Sequence, residues 1–257
     1  MTAMEREESV VVRECETVEE FDACVRLQRE AFGLPDLELS PRRHLIVARS
    51  AGGFVLGAFA GDRLVGFVLN QVAVRGRAEV IGYSHMMAVA KEYQNRGVGA
   101  RLKWAQRDRA LSEGRRFVRW TWDPMQARNA HFNLNRLGVT VRSYAVNYYG
   151  TDYSTATGEF GRQYGLDSDR LVAGWALDSP RVEALARGET PETLGEEAAA
   201  VEIPPDWGAL VRADPAGARR ELLRVRADFE RALGDGLVCA RFERDDERPR
   251  YLFFRES

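Results

Sequence analysis

Between Met86 and Ala100 the chain reads MMAVAKEYQNRGVGA: an apolar, strand-like stretch, then a polar turn, then Gly97 and Gly99 where a helix should begin. The first amides of a helix have no intrahelical acceptor, and glycines at that point leave them bare. Such a terminus suits a doubly charged pyrophosphate, with Arg96 adding charge at its rim. A lone Gly-x-Gly also occurs in ordinary strand-to-helix turns, so the surrounding sequence has to decide. Just upstream, period-two alternation is expected to set Tyr83, His85 and Met87 on one strand face. An imidazole titrates at about pH 6.5 and can relay a proton, which makes His85 the general-base candidate, against the alternative of a structural histidine. Tyr83, Tyr148 and Tyr149 carry phenols that could donate a proton or could be aromatics buried with satisfied hydroxyls. Asp123 could orient His85, bind an amine, or cap the following turn.

The elements that must position these groups follow from local patterns. Residues 9–14 read as a strand, and Thr17 with Glu20 three positions later forms a capping-box signature for a helix that ends at Gly33. A short helix is expected over 42–48, then strands over 53–60 and 63–74 joined at Gly61-Asp62, and a third strand over 78–89. Residues 97–112 should be helical, 117–123 a strand, 129–137 a helix stopped by Gly138, 139–149 a strand and 170–177 another. This order predicts an α/β class with a mixed sheet and helices on its faces. Trp120 and Trp122 are expected in the core.

After Pro180 the texture becomes acidic and Ala-rich, read as a surface helix plus a linker. A boundary is therefore expected at 178/179, separating residues 1–178 from an α+β extension or small lobe over 179–257. In that tail Asp214-Pro215 opens a helix with Ala218, Leu222, Val225, Phe229 and Leu233 on one side, followed by strands over 237–242 and 250–254.

Composition narrows the function. No stretch approaches the ~20 apolar residues of a membrane-spanning helix, and the first eight residues are acidic and polar, so a cytoplasmic, non-membrane protein is expected. Cys15, Cys24 and Cys239 form no CxxC pair and read as small buried residues, and His44, His85 and His131 lack helical metal-ligand spacing, so no metal is expected. Net charge is -2 with no basic tail, which argues against nucleic acid and requires any anion site to be local. The Gly-Lys-Ser/Thr ending of a P-loop and the early GxGxxG of a dinucleotide fold are both missing.

The run Met87-Ala88-Val89-Ala90-Lys91-Glu92-Tyr93-Gln94-Asn95-Arg96-Gly97-Val98-Gly99-Ala100 resembles the Q/R-x-x-G-x-G/A motif of GNAT acyltransferases, and the order of elements from residue 9 to about 150 is similar as well. The resemblance implies a GNAT acyl-CoA N-acyltransferase fold in which acetyl-CoA or another acyl-CoA is co-substrate. In that reading Met87, Ala88 and Val89 line the pantetheine and acyl group, with backbone groups of Met87 and Val89 offered to them. Gln94, Asn95, Arg96, Gly97, Val98, Gly99 and Ala100 wrap the pyrophosphate. The stretch Ala127 to Gly138 resembles the helix that closes over the pantetheine, with Asn129 the expected contact. Two departures stand out: Leu134 occupies the place of a common Tyr acid, and Tyr83 that of a common strand carboxylate. Tyr83-Ser84-His85-Met86, Trp120 to Pro124 and Asn147 to Gly150 also resemble a bacterial GNAT subgroup with a C-terminal extension, some of whose members are thought to acylate amino acids, with succinyl-CoA as one donor. The implied reaction is direct transfer of an acetyl or succinyl group to the primary amine of a small molecule. His85, Tyr83 and Tyr148 are the catalytic candidates, and Arg142 or Arg128 would meet a succinyl carboxylate. A homodimer is compatible with this reading, and the alternative is a catalytically silent CoA-binding regulatory domain.

Overall fold

The computed structural model describes residues 9–153, 164–192 and 194–256, and its contacts divide the chain into two compact units, Met1–Arg115 and Arg116–Ser257.

In the first unit β1 (Val10–Glu14), β2 (Phe54–Ala60), β3 (Arg63–Arg75) and β4 (Glu79–Val89) pair in sequence order, each antiparallel to the next. The β2–β3 turn falls on Gly61, whose φ of 55° suits a residue without Cβ. Helix α1 (Val18–Phe32) carries the expected capping box, with Thr17 Oγ1 accepting from Glu20 N–H and Glu20 Oε2 accepting from Thr17 N–H, and it ends on left-handed Gly33. Helix α2 (Arg42–Ser50) and helix α3 (Val98–Ser112) complete the unit. Neighbouring residues of β3 show which face each helix covers. Asn70 Oδ1 accepts from Gln106 of α3, whereas the next residue, Gln71, lies with its Nε2 2.6 Å from His44 Nε2 of α2. Successive strand side chains point to opposite faces, so α2 and α3 lie on opposite sides of the sheet. The core between these layers includes Leu45, Phe54, Phe67, Leu69 and Leu102, all buried.

The second unit holds β5 (Phe117–Trp122), β6 (Thr140–Ala145), β7 (Arg170–Ala176), β8 (Glu197–Glu202), β9 (Leu237–Glu243) and β10 (Arg250–Arg255) in the spatial order β5-β7-β6-β9-β10-β8. Its helices are α4 (Ala127–Ala130), α5 (Pro180–Ala186), α6 (Trp207–Ala213) and α7 (Pro215–Gly234). Trp175 stacks edge-on against Trp120, and Phe229 of α7 packs on Tyr251 and Phe253 of β10. Trp120 and Trp122 are core residues, as expected.

The α/β class read from the sequence is what forms, with several local corrections. The expected helix over 129–137 starts at Ala127 and becomes a π-helical turn over His131–Arg136, ended by Gly138 at φ 73°. The strand expected to reach Tyr149 stops at Ala145, because Asn147 takes a φ of 45° and begins a turn. The stretch read as a linker contains β8, which pairs with β10, and α6 was not anticipated. Residues 179–257 share the compact unit of residues 116–178, and β9 pairs with β6 at Val141↔Cys239.

Candidate active site

The glycine turn lies between β4 and α3. A single 3-10 turn over Lys91–Tyr93 leads to Gln94, then Asn95 at φ 62°, exposed Arg96, and Gly97 at φ 79°. Asparagine is one of the few side chains that tolerates this left-handed region, and glycine accepts it without strain. No side chain caps α3, its first turn holds no acidic residue, and its first backbone bond is from Arg101 N–H to Gly97 O. The amides of Val98, Gly99 and Ala100 therefore have no acceptor within the helix. A Cβ at Gly97 would meet nothing within 4 Å, so the space over that residue is open. Buried Val98 anchors the helix start in the core, and Arg96 leans toward the Tyr93 ring at 5.6 Å. Gln94 braces the turn, its Nε2 donating to Val89 O at 3.0 Å. The cradle combines donors without intrahelical acceptors, a positive helix end and an exposed cation, which is the chemistry that holds a polyphosphate.

The last residues of β4 present their backbone outward. Ala90 N–H donates to Val65 O on β3, so antiparallel alternation turns the N–H and C=O of Val89, and of Met87 two residues earlier, toward the edge of β4 away from β3. Ala88, between them, is buried.

The expectation that Tyr83, His85 and Met87 share one face is corrected. The β3–β4 register shifts where Leu69 pairs with Met86 but Asn70 pairs with Ser84, leaving His85 as the extra residue of a β-bulge. Tyr83 lies opposite Gln71 on the α2 side, and His85 Nε2 lies 3.3 Å from Ser40 Oγ on that same side. Past the bulge Met87 turns the other way, reaching α3, where its Cε is 3.5 Å from the Cβ position of Gly99. The His85 ring meets His44 edge-on at 5.3 Å, and crowding by protein together with the His44 charge pushes its pKa below 6.5 while the residue keeps a solvent-reaching edge.

A polar network that the sequence reading missed backs the bulge from the α3 side. Buried Lys103 donates to Ser84 Oγ at 2.8 Å and to Gln106 Oε1 at 3.1 Å, and Gln106 passes the chain on to Asn70. On the other side Gln28 bonds both backbone groups of Ser40. The sequence does hold a trace of this, since Lys103 and Gln106 fall three apart on α3 among the buried Val98, Leu102 and Ala110.

The remaining candidates belong to the second unit. Tyr148 is half exposed, with its ring 4.8 Å from that of Tyr149. Asn129 is exposed inside the first turn of α4, where it caps nothing and bonds to no described residue. Leu134 is fully buried and offers no acid. Asp123 serves as a turn cap, accepting from Met125 N–H and Gln126 Nε2. Arg142 is engaged by Glu256 and Thr140. Two surface grooves occur, one of about 410 Å³ in the first unit beside Glu19, Arg26, Asp62 and Ala90, and one of about 360 Å³ in the second beside His131, Arg241 and Arg244. Among the described residues no helix is long and apolar enough to cross a membrane, and no group of three metal-ligating side chains occurs.

An uncapped helix start that follows an outward-facing strand end, preceded by a bulge, is an arrangement suited to a phosphate-bearing ligand in an α/β fold. Residues 19–138 match the model of the Acetyltransferase (GNAT) family. This segment, a little under half of the chain, is similar to that family. Its fold is similar to that of the ribosomal-protein-S18-alanine N-acetyltransferase from Escherichia coli, with a TM-score of 0.52 at 15% identity over 66% of this chain and 96% of that one. A putative GNAT acetyltransferase from Desulfovibrio desulfuricans gives a TM-score of 0.52 at 13% identity, over 66% and 99%. No curated protein matches the sequence.

Proposed function

We propose that this enzyme transfers an acetyl or succinyl group from the corresponding acyl-CoA to the primary amine of a small molecule such as an amino acid. The observation that carries the reading is the uncapped start of α3, with left-handed Asn95 and Gly97 ahead of it and bare amides over Val98 to Ala100. Gln94 to Ala100 hold the pyrophosphate, mainly through backbone donors, so that Gln94 itself acts by tying the turn to Val89 O. The outward backbone of Met87 and Val89, flanking Ala88, lines the pantetheine and acyl group, and Asn129 contributes from α4.

The chemistry asks for a neutral amine, a carbonyl held within reach, and a proton for the departing sulfur. The amine nitrogen bonds to the acyl carbon, the carbon–sulfur bond breaks, and the proton lost by nitrogen goes to a base. A depressed pKa leaves the His85 imidazole neutral at pH 7 and able to accept that proton, directly or through one water. Tyr83 and Tyr148 are the phenol candidates for protonating the thiolate. Juxtaposing the two reactants supplies much of the acceleration, so a sparse site suffices. In this proposal residues 1–178 form the catalytic part and 179–257 an extension of it.

The test is a free-thiol assay with acetyl-CoA and succinyl-CoA against amino acids, polyamines and peptides. Turnover on small amines supports the proposal, and turnover confined to peptide N-termini overturns the small-molecule assignment.

A further inference from the structure

Within the first unit the ring of His85 is held by a residue to which the reaction above gives no part. As the extra residue of the bulge, His85 is released from the β3–β4 ladder and its side chain is re-aimed toward the α2 side of the sheet. There its Nε2 lies 3.3 Å from Ser40 Oγ, and among the described residues this is the one hydrogen-bond partner of the imidazole, so Nδ1 is unbonded. Ser40 stands just ahead of α2, is 8% exposed and is itself fixed. Its backbone N–H donates to Gln28 Oε1 at 2.8 Å, and its carbonyl accepts from Gln28 Nε2 at 3.1 Å. Gln28 is fully buried on α1, so a side chain from another element clamps both backbone groups of Ser40 and delivers its hydroxyl to one place.

No carboxylate shares this corner among the described residues. His44 of α2 meets the His85 ring edge-on at 5.3 Å and is engaged by Gln71 of β3; Tyr83 lies on the same side two residues earlier on β4, and α1 contributes the uncharged Gln28. The charge that acts on His85 is therefore that of His44, which lowers its pKa as burial does.

The direction of the Ser40 bond decides what His85 can do. A neutral imidazole carries its proton on one nitrogen and a lone pair on the other. With the proton on Nδ1, the Ser40 hydroxyl donates to Nε2 and the ring has no lone pair left for the proton of an amine. With the proton on Nε2, Ser40 Oγ accepts and the Nδ1 lone pair stays free. The second arrangement alone survives proton uptake unchanged, because both nitrogens of an imidazolium are donors and Ser40 must then accept.

We propose that Ser40, clamped by Gln28, is a positioning residue that holds neutral His85 with its proton on Nε2 and leaves the Nδ1 lone pair for the proton of the acceptor amine, an inference that rests on the acyltransferase reading above.

Two measurements on the full-length protein test this separately. Nitrogen-15 NMR of histidine-labelled protein at about pH 8, where a free imidazole is neutral, with His85 assigned by its loss in His85→Ala, should show the proton on Nε2 in the wild type and a mixture of tautomers in Ser40→Ala. In the acylation assay with a small amine, Ser40→Ala removes an acceptor that favours the charged ring, so the acid limb of kcat/KM should move down by about half to one pH unit. Its kcat should fall about 10-fold, the order of one hydrogen bond, while KM for acyl-CoA stays unchanged. Ser40→Thr, which keeps the hydroxyl, restores both, and Gln28→Met shifts the profile in the same direction as Ser40→Ala. A wild type with the His85 proton on Nδ1 overturns the inference whatever the activity, and so does a folded Ser40→Ala with the wild-type pH profile; both results leave the acyltransferase reading standing. A wild type that acylates no amine overturns that reading itself, and a His85→Ala with the wild-type profile overturns the base role on which the inference stands.

Discussion

Lys103 Nζ donates to Ser84 Oγ at 2.8 Å, which places a buried amine directly behind the residue that precedes the bulge at His85. The contact couples α3, whose first turn forms the glycine cradle, to the strand that carries the general-base candidate. Lys103 is 3% exposed, and burial pushes its pKa down to about 7 from its ordinary 10.5.

That shift has a sign. Between about pH 7 and 10.5 the unfolded chain holds the Lys103 proton while the folded chain releases it, so this residue's contribution to stability rises with pH across the window. Below about pH 7 its desolvation opposes folding in full. Relative to Lys103→Met, the wild type should gain at most about 1.4 kcal/mol per pH unit. Urea midpoints of both proteins from pH 6.5 to 9.5 check this, and parallel curves would mean that Lys103 titrates as it does in water.

For His85 the depressed pKa predicts an acid limb in kcat/KM that lies below pH 6.5. His85→Ala should lower kcat by about 10²-fold or more and remove that limb, while His85→Gln keeps the neighbour of Ser40 but not the proton acceptor. A pH profile unchanged in His85→Ala would assign the residue to structure.

In the second unit the Arg226–Asp169 pair joins α7 to the start of β7 with a carboxylate whose side chain is 0% exposed. Arg226→Met should cost about 3–5 kcal/mol, because it leaves that carboxylate buried without its cation. Asp169→Asn in the same background should recover part of the loss. Chemical denaturation of the wild type and the two variants measures both effects, and a single-variant loss under about 1 kcal/mol would show the pair to be dispensable.

Local signals were read well and long-range ones poorly. The capping box of α1, the Pro-initiated α7 and the glycine turn are each written within a few neighbouring residues, so spacing alone exposes them. β8 is different: Glu197–Glu202 is rich in alanine, a weak strand former, and takes its conformation from pairing with β10 some fifty residues later. The bulge was equally hidden, since one unpaired residue changes which face every later side chain occupies while leaving the apolar pattern of the strand intact. It is the reason His85 and Met87 part company. The Lys103 network escaped notice because an isolated charged residue reads as surface until its burial is known.

The central claim is that the bare amides at the start of α3 hold two linked phosphates, and Gly99→Glu tests it with calorimetric titration of CoA. The Cβ position at Gly99 makes only ordinary contacts, 3.5 Å to Met87 and 3.9 Å to Val89, and an acidic residue in a first helical turn suits the helix, so the variant should fold with an unchanged melting temperature. Its carboxylate would repel the pyrophosphate, and the Kd for CoA should rise at least about 10-fold while pantetheine, which lacks those phosphates, binds both proteins alike. A folded variant that binds CoA as tightly as the wild type would contradict the account.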